Sequence, residues 1–129
     1  MEVRVPKFLH YAVLVASSIG LSPVRAEQVV FRNELRQCMT IETTRTWTES
    51  NAVLANALIR IHKPIGECGC LSALAIYATS VAVGKARQTL QEGLIGLEKS
   101  GEKTLVLATE PALVSEKKIS IRLSCAGPL

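Results

Sequence analysis

The chain has 129 residues with 15 Lys and Arg, 11 Asp and Glu and 4% aromatic residues, and every one of its acidic residues is Glu. The absence of aspartate disfavours Asp-rich calcium loops and removes the usual third member of a Ser-His-Asp triad. Scattered basic residues with few aromatics also argue against a nucleic-acid-binding face, and we expect no nucleic acid among the partners.

The N-terminal segment has the three parts of a secretory signal. "MEVRVPK" supplies Arg4 and Lys7, "FLHYAVLVASSIGL" is an apolar stretch of 14 residues, and "SPVRA" ends at Ala26. A membrane-spanning helix needs about 20 apolar residues, so an uncleaved anchor is the alternative that we do not favour. We therefore predict a signal peptide over residues 1–26, membrane contact only before its cleavage, and a periplasmic or secreted mature domain over residues 27–129.

The mature chain begins irregularly and then alternates as strands do. Residues 38–47 are rich in threonine and predict a first strand, in which Trp47 is interpreted as a core or strand-edge aromatic. After the polar break "TESN", a second strand runs to the residue before Pro64. Its expected buried face consists of Val53, Ala55, Ala57, Ile59 and Ile61.

The second half of the chain carries three further strand patterns. Residues 71–83 are an almost continuous apolar run, for which a buried strand is favoured over a helix. Residues 90–97 and 104–109 flank the turn "EKSGEK" and predict a hairpin. Residues 117–125 alternate, with Ile119, Ile121 and Leu123 expected inside and Lys118, Ser120, Arg122 and Ser124 outside. The pattern as a whole predicts a single antiparallel, Ig-like β-sandwich of five to seven strands after an N-terminal signal helix.

Four cysteines in an exported chain of this size predict disulfides. We favour the pairing of Cys38 with Cys125, which would join the two ends of the domain, together with a bond between Cys68 and Cys70 across Gly69. Gly69 could make so tight a turn through a positive φ. The two mixed pairings, 38–68 with 70–125 and 38–70 with 68–125, stay open.

The stretch "HKPIGECGC" also permits two chemical hypotheses. Cys68, Cys70 and His62 could bind copper(I) or zinc, although structural zinc sites usually space their cysteines more widely and use four ligands. Alternatively, a Cys68–Cys70 bond could take part in thiol–disulfide exchange, although the neighbouring Glu67 opposes thiolate formation. Structural disulfides around a connecting loop are the favoured interpretation, with no metal, no cofactor and no catalytic residues.

The signal segment, "KPIGECGCLSALAIY" and the ending "ISIRLSCAGPL" resemble a family of small uncharacterised bacterial secreted proteins, a domain of unknown function. The resemblance implies periplasmic residence and a compact β-rich domain, and it supplies no catalytic residues. Together with the residue patterns, it predicts a non-enzymatic binding or accessory module whose partner is an unknown protein or small ligand. The metal-handling protein and the thiol-exchange protein remain the alternatives.

Overall fold

The computed structural model describes residues 28–127, which form two packed β-sheets. The strands are β1 (Gln28–Asn33), β2 (Met39–Glu49), β3 (Ala52–Ile61), β4 (Leu74–Val83), β5 (Ala86–Gly96), β6 (Gly101–Ala108) and β7 (Lys118–Cys125). One sheet has the order β1-β7-β4-β5 and the other the order β2-β3-β6. The predicted β-sandwich is thus confirmed, while the predicted signal segment lies outside the described residues. Within residues 28–127, no helix has the length and apolarity to cross a membrane.

The strands are connected by two hairpins within the sheets and by segments that cross from one sheet to the other. β2 and β3 form a hairpin, and so do β4 and β5. β6 then returns to lie beside β3, and β7 returns beside β4, as in Greek-key connections. The predicted hairpin of residues 90–97 and 104–109 is therefore wrong. Both segments are strands, but β5 pairs with β4 in one sheet and β6 with β3 in the other, because residues 97–100 cross between the sheets.

The core lies between the two sheets and follows the alternation of the strands. In β3 the predicted inward face is correct, with Val53, Ala55, Ala57 and Ile59 buried and Ile61 partly buried at its end. In β7 the three predicted apolar residues are fully buried. The largest fully buried side chains are Leu35, Met39, Ile59, Ile65, Leu97, Leu105, Leu107, Ile119, Ile121, Leu123, Val53 and Val81.

A β-bulge divides β2 into two halves with opposite faces. Thr43 pairs with Ala57 and Arg45 pairs with Asn56, so that Thr44 is the extra residue. Since side chains alternate along a strand, the bulge turns Arg45 and Trp47 to the outer face, whereas Met39 and Ile41 face the core. Trp47 is consequently a half-buried aromatic on an edge strand, with the Arg45 guanidinium 4.1 Å from its ring centroid.

The free edge of β6 is covered by side chains from the opposite sheet. The Tyr77 hydroxyl donates to the Val106 carbonyl at 3.2 Å and accepts from the Val106 amide at 3.0 Å. The Thr79 hydroxyl donates to the carbonyl of Leu107 at 2.7 Å. Gly93 of β5 makes room for this arrangement, because a Cβ there would lie 2.6 Å from the Tyr77 ring. These contacts join the two sheets and satisfy backbone groups that an edge strand would otherwise leave unpaired.

Candidate functional site

Residues 62–73, which we call the cysteine loop, connect β3 in one sheet to β4 in the other. A 3₁₀ turn over Ile65–Cys68 begins just after Pro64 and buries Ile65 in the core. The amides of His62 and Lys63 both donate to the Cys38 carbonyl, at 2.7 and 3.2 Å. The loop therefore begins as a continuation of the β2–β3 pairing and is held to the sandwich before it crosses to β4.

Two disulfides fix the middle of the cysteine loop. Cys38 is bonded to Cys68, and Cys70 is bonded to Cys125. The favoured pairing of Cys38 with Cys125 and of Cys68 with Cys70 is wrong, and the structure has one of the two mixed pairings.

Strand register accounts for this outcome. Met39 pairs with Ile61, which places the preceding Cys38 beside the start of the cysteine loop. Ala75 pairs with Cys125, which places that cysteine beside the end of the loop. Each of the two loop cysteines therefore meets the partner that its own flanking strand brings close.

Gly69 separates the two disulfides and has φ 97° and ψ 2°, in the left-handed region. Its amide donates to the Gly66 carbonyl at 3.1 Å, and the Cys70 amide donates to the Ile65 carbonyl at 3.2 Å. The expected positive φ is present, but its effect differs from the one predicted. The reversal of the chain directs two sulfur atoms to different partners instead of bringing them together.

A groove of about 540 Å³ lies between the cysteine loop and the β5–β6 crossing, and this is the candidate site. Such a volume is in the range of ligand-binding clefts. Its lining residues are Ile61, His62, Lys63, Pro64, Ile65, Gly66, Cys70, Leu71, Ser72, Ala73, Leu97 and Glu98. The groove thus combines an apolar interior with charged groups at exposed positions.

The deepest lining residues are fixed to the core. Ile65 and Leu97 are each 2% exposed. The Leu97 amide also donates to the Ala73 carbonyl at 2.8 Å, which joins the β5–β6 crossing to the last residues of the cysteine loop. The walls of the groove are therefore held by a backbone hydrogen bond as well as by a disulfide.

Leu71 is the most exposed large apolar side chain among the described residues, at 81% of its surface. It follows Cys70 directly, so its backbone is anchored by the Cys70–Cys125 bond. Single exposed apolar side chains are common on protein surfaces, so the relevant observation is that Leu71 extends a groove whose interior is also apolar. Neither Leu71 nor Leu97 was predicted as a site residue. The sequence offers no local signal for them, because the groove forms where two crossing connections meet.

The metal hypothesis requires Cys68 and Cys70 to be free thiolates close to His62. His62 lies exposed at the groove, while Cys68 and Cys70 belong to two separate disulfides and offer no thiolate in this form. Among residues 28–127, no group of three or more His, Cys, Asp or Glu residues is arranged to hold a metal ion. The exchange hypothesis required a Cys68–Cys70 bond, and that expectation is wrong.

The model of a family described as "Uncharacterized protein conserved in bacteria (DUF2195)" matches residues 13–128. Searches of the curated proteins and of the solved structures returned no significant match.

Proposed function

The chain belongs to the DUF2195 family of bacterial proteins, and from that premise we propose that it is an exported, non-enzymatic binding module. Its binding site is the groove at the cysteine loop, and its ligand is a partner protein that inserts an apolar side chain there. The observation that carries the proposal is the exposure of Leu71 next to this groove.

A protein fits this surface better than a small ligand does. A small apolar molecule in the groove would cover only the part of Leu71 that lines it, and most of that side chain, which is 81% exposed, would stay in water. A protein surface can place apolar side chains in the groove and bury Leu71 in a pocket of its own. Full burial of a leucine contributes about 1.5–3 kcal/mol, which is the size of an interface hot spot.

The disulfides support binding by reducing the conformational freedom of the loop. Cys38–Cys68 and Cys70–Cys125 hold the two ends of the segment that carries Gly69, and Leu71 follows at once. A loop that is already ordered loses little entropy when a partner binds. The same disulfides are typical of oxidising compartments, and in a bacterium they support residence in the periplasm.

The charged groups at the mouth of the groove would orient the partner. His62 and Lys63 lie on one wall, and Glu98 lies on the β5–β6 crossing. All three are exposed, so their effect is on the rate and orientation of encounter more than on affinity. We therefore expect a partner segment whose apolar side chain is flanked by a carboxylate on the Lys63 side and by a basic group on the Glu98 side.

Site-specific photocrosslinking in the bacterium tests this proposal. A photoreactive amino acid at Leu71 should give a discrete adduct with a heterologous protein, and the same amino acid at Leu94 should not. Leu94 is the matched control because it is also an exposed leucine, at 56%, on the outer face of β5.

A variant that obstructs the groove provides the second arm. Gly66→Trp should abolish the adduct at position 71, since Gly66 lines the groove and the backbone leaves space for a Cβ there, with nothing within 4 Å of it. Equal adducts at positions 71 and 94, an adduct that survives Gly66→Trp, or an adduct with the mass of two copies of this chain would each contradict the proposal. Fractionation of the same cells tests the location, and recovery in the cytoplasm with free thiols would overturn export.

A further inference from the structure

A second depression, of about 210 Å³, lies on the outer face of the four-stranded sheet. Its floor consists of small residues on the central strands, with Ser80 of β4 directly opposite Ser120 of β7 and Ala78 opposite Arg122. Ser120 was expected to be exposed, but only 8% of its surface is accessible. The reason is its position at the centre of the sheet, between β1 and β4. The floor is therefore formed by small side chains, two of which carry hydroxyl groups.

Two arginines form one wall of this depression. Arg32 and Arg122 are direct partners in the parallel β1–β7 pairing, and both side chains are exposed on the outer face. Like charges directly opposite each other across a sheet are destabilising. Glu34 lies 3.9 Å from Arg122, but both side chains are more than half exposed, so this pair neutralises little of the charge.

Arg87 of β5 approaches the floor from the other side. Its Nε donates to the Ser80 hydroxyl at 3.1 Å, which fixes the guanidinium at the edge of the depression. The terminal nitrogens of that guanidinium remain as donors, since an arginine carries five N–H groups. Thr89 and Glu92 complete this wall. With three arginines and one glutamate, the charged residues that line the depression carry a net charge of +2.

We propose that this depression is an anion-binding site that takes the phosphate, sulfate or carboxylate group of a small ligand. Guanidinium groups present paired N–H donors that match the oxygens of such groups. The hydroxyls of Ser80 and Ser120 add donors from the floor, and a bound anion would relieve the repulsion between Arg32 and Arg122. Glu92, opposite Ala78 in the register, favours a ligand that also carries a hydroxyl or amine donor. The site lies on a different surface from the groove and does not depend on the function proposed there.

Titration of the folded protein with inorganic phosphate, sodium sulfate and sodium acetate tests the site. NMR signals of the arginine Nε–Hε groups would be followed at constant ionic strength, with sodium chloride as the balancing salt. At least one of the three anions should give saturable, single-site shifts at Arg32, Arg87 and Arg122. The anion that binds with the highest affinity shows whether the natural ligand carries a phosphate, a sulfate or a carboxylate group. Shifts that do not saturate, or that are equal for all exposed arginines, would overturn the proposal.

Substitutions provide the matched comparison. Arg122→Gln should weaken binding of the preferred anion about tenfold or more, because one charge-assisted hydrogen-bond pair is lost. Arg60→Gln is the control, since Arg60 is exposed on β3 of the other sheet. Unchanged affinity in Arg122→Gln, or an equal loss in Arg60→Gln, would refute the assignment.

Thermal unfolding separates binding from folding. The preferred anion should raise the Tm of the native protein, because a ligand of the folded state stabilises it by mass action. Arg32→Gln should keep or raise the Tm measured without the anion, since a like-charge contact is removed, and should lose the anion-dependent increase. An anion-dependent increase in Arg32→Gln as large as in the native protein would contradict the proposal.

Discussion

Removal of the Cys70–Cys125 disulfide tests directly whether this bond closes its loop and stabilises the folded domain. The bond joins residues 55 apart in sequence, and in the chain-entropy model its loss costs about 4 kcal/mol. The Cys38–Cys68 bond, with a separation of 30, contributes about 3.5 kcal/mol. Because the two closed loops follow each other and share no residue, these contributions should add. Their sum is comparable with the whole stability of a small domain, which is about 5–15 kcal/mol.

Urea unfolding at 25 °C, followed through the fluorescence of the single tryptophan, measures the effect. The double variant Cys70→Ala/Cys125→Ala should lose about 4 kcal/mol of unfolding free energy. With a typical m-value of about 2 kcal/mol/M, the midpoint would fall by about 2 M. The m-value should also rise, because the unfolded chain without the bond exposes more surface. Cys38→Ala/Cys68→Ala is the control and should lose slightly less.

Peptide mapping checks the disulfide pairing independently of stability. Trypsin cuts the chain into residues 37–45 with Cys38, residues 61–85 with Cys68 and Cys70, and residues 123–129 with Cys125. The observed pairing joins all three peptides into one species. A species of residues 37–45 and 123–129 alone, or a loss below about 1 kcal/mol in Cys70→Ala/Cys125→Ala, would show that the loops are not closed as described.

Three further substitutions test the contacts between the sheets and the turn of the cysteine loop. Tyr77→Phe should cost about 1–3 kcal/mol in thermal unfolding, because the amide and carbonyl of Val106 lose their partner, and an unchanged Tm would show that water replaces the hydroxyl. Gly93→Ala should destabilise the domain and change its near-ultraviolet circular dichroism spectrum, because the added Cβ would lie 2.6 Å from the Tyr77 ring. A spectrum identical to that of the native protein would contradict this packing. Gly69→Ala should cost about 1 kcal/mol through its positive φ, while Gly66→Ala, in open space without that constraint, should be neutral; equal effects in urea unfolding would remove the argument.

Alternation in the sequence predicted strands well wherever one face is buried. β7 and β3 show this, because their inward residues are apolar in every second position and pack between the sheets. β1 was not predicted. Only three of its residues turn inward, and they are half-buried on an edge strand, so residues 28–33 carry a weak pattern.

Strand and disulfide pairings between residues distant in sequence could not be predicted from the local residue pattern. β5 and β6 flank a polar turn and look like a hairpin, yet the turn carries the chain from one sheet to the other. The bulge at Thr44 is equally invisible, since both halves of β2 alternate and only pairing with β3 shows the change of face. The groove depends on these long-range strand pairings, because its walls are the β3–β4 and β5–β6 connections, which both cross between the sheets. The disulfide pairing depends on them in part, since the β2–β3 hairpin alone places Cys38 beside the start of the cysteine loop.

The order of the disulfides along the chain has a consequence for biogenesis. In a chain that enters an oxidising compartment from its N-terminus, Cys38 and Cys68 are the first two thiols to emerge, and they are partners in the folded protein. Cys70 then finds Cys125 as its only remaining partner when the last strand arrives. Pairing in order of emergence therefore yields the native bonds directly, without the slow breaking and remaking of wrong disulfides. The protein should mature with a thiol oxidant alone, and loss of a disulfide isomerase should leave its yield unchanged.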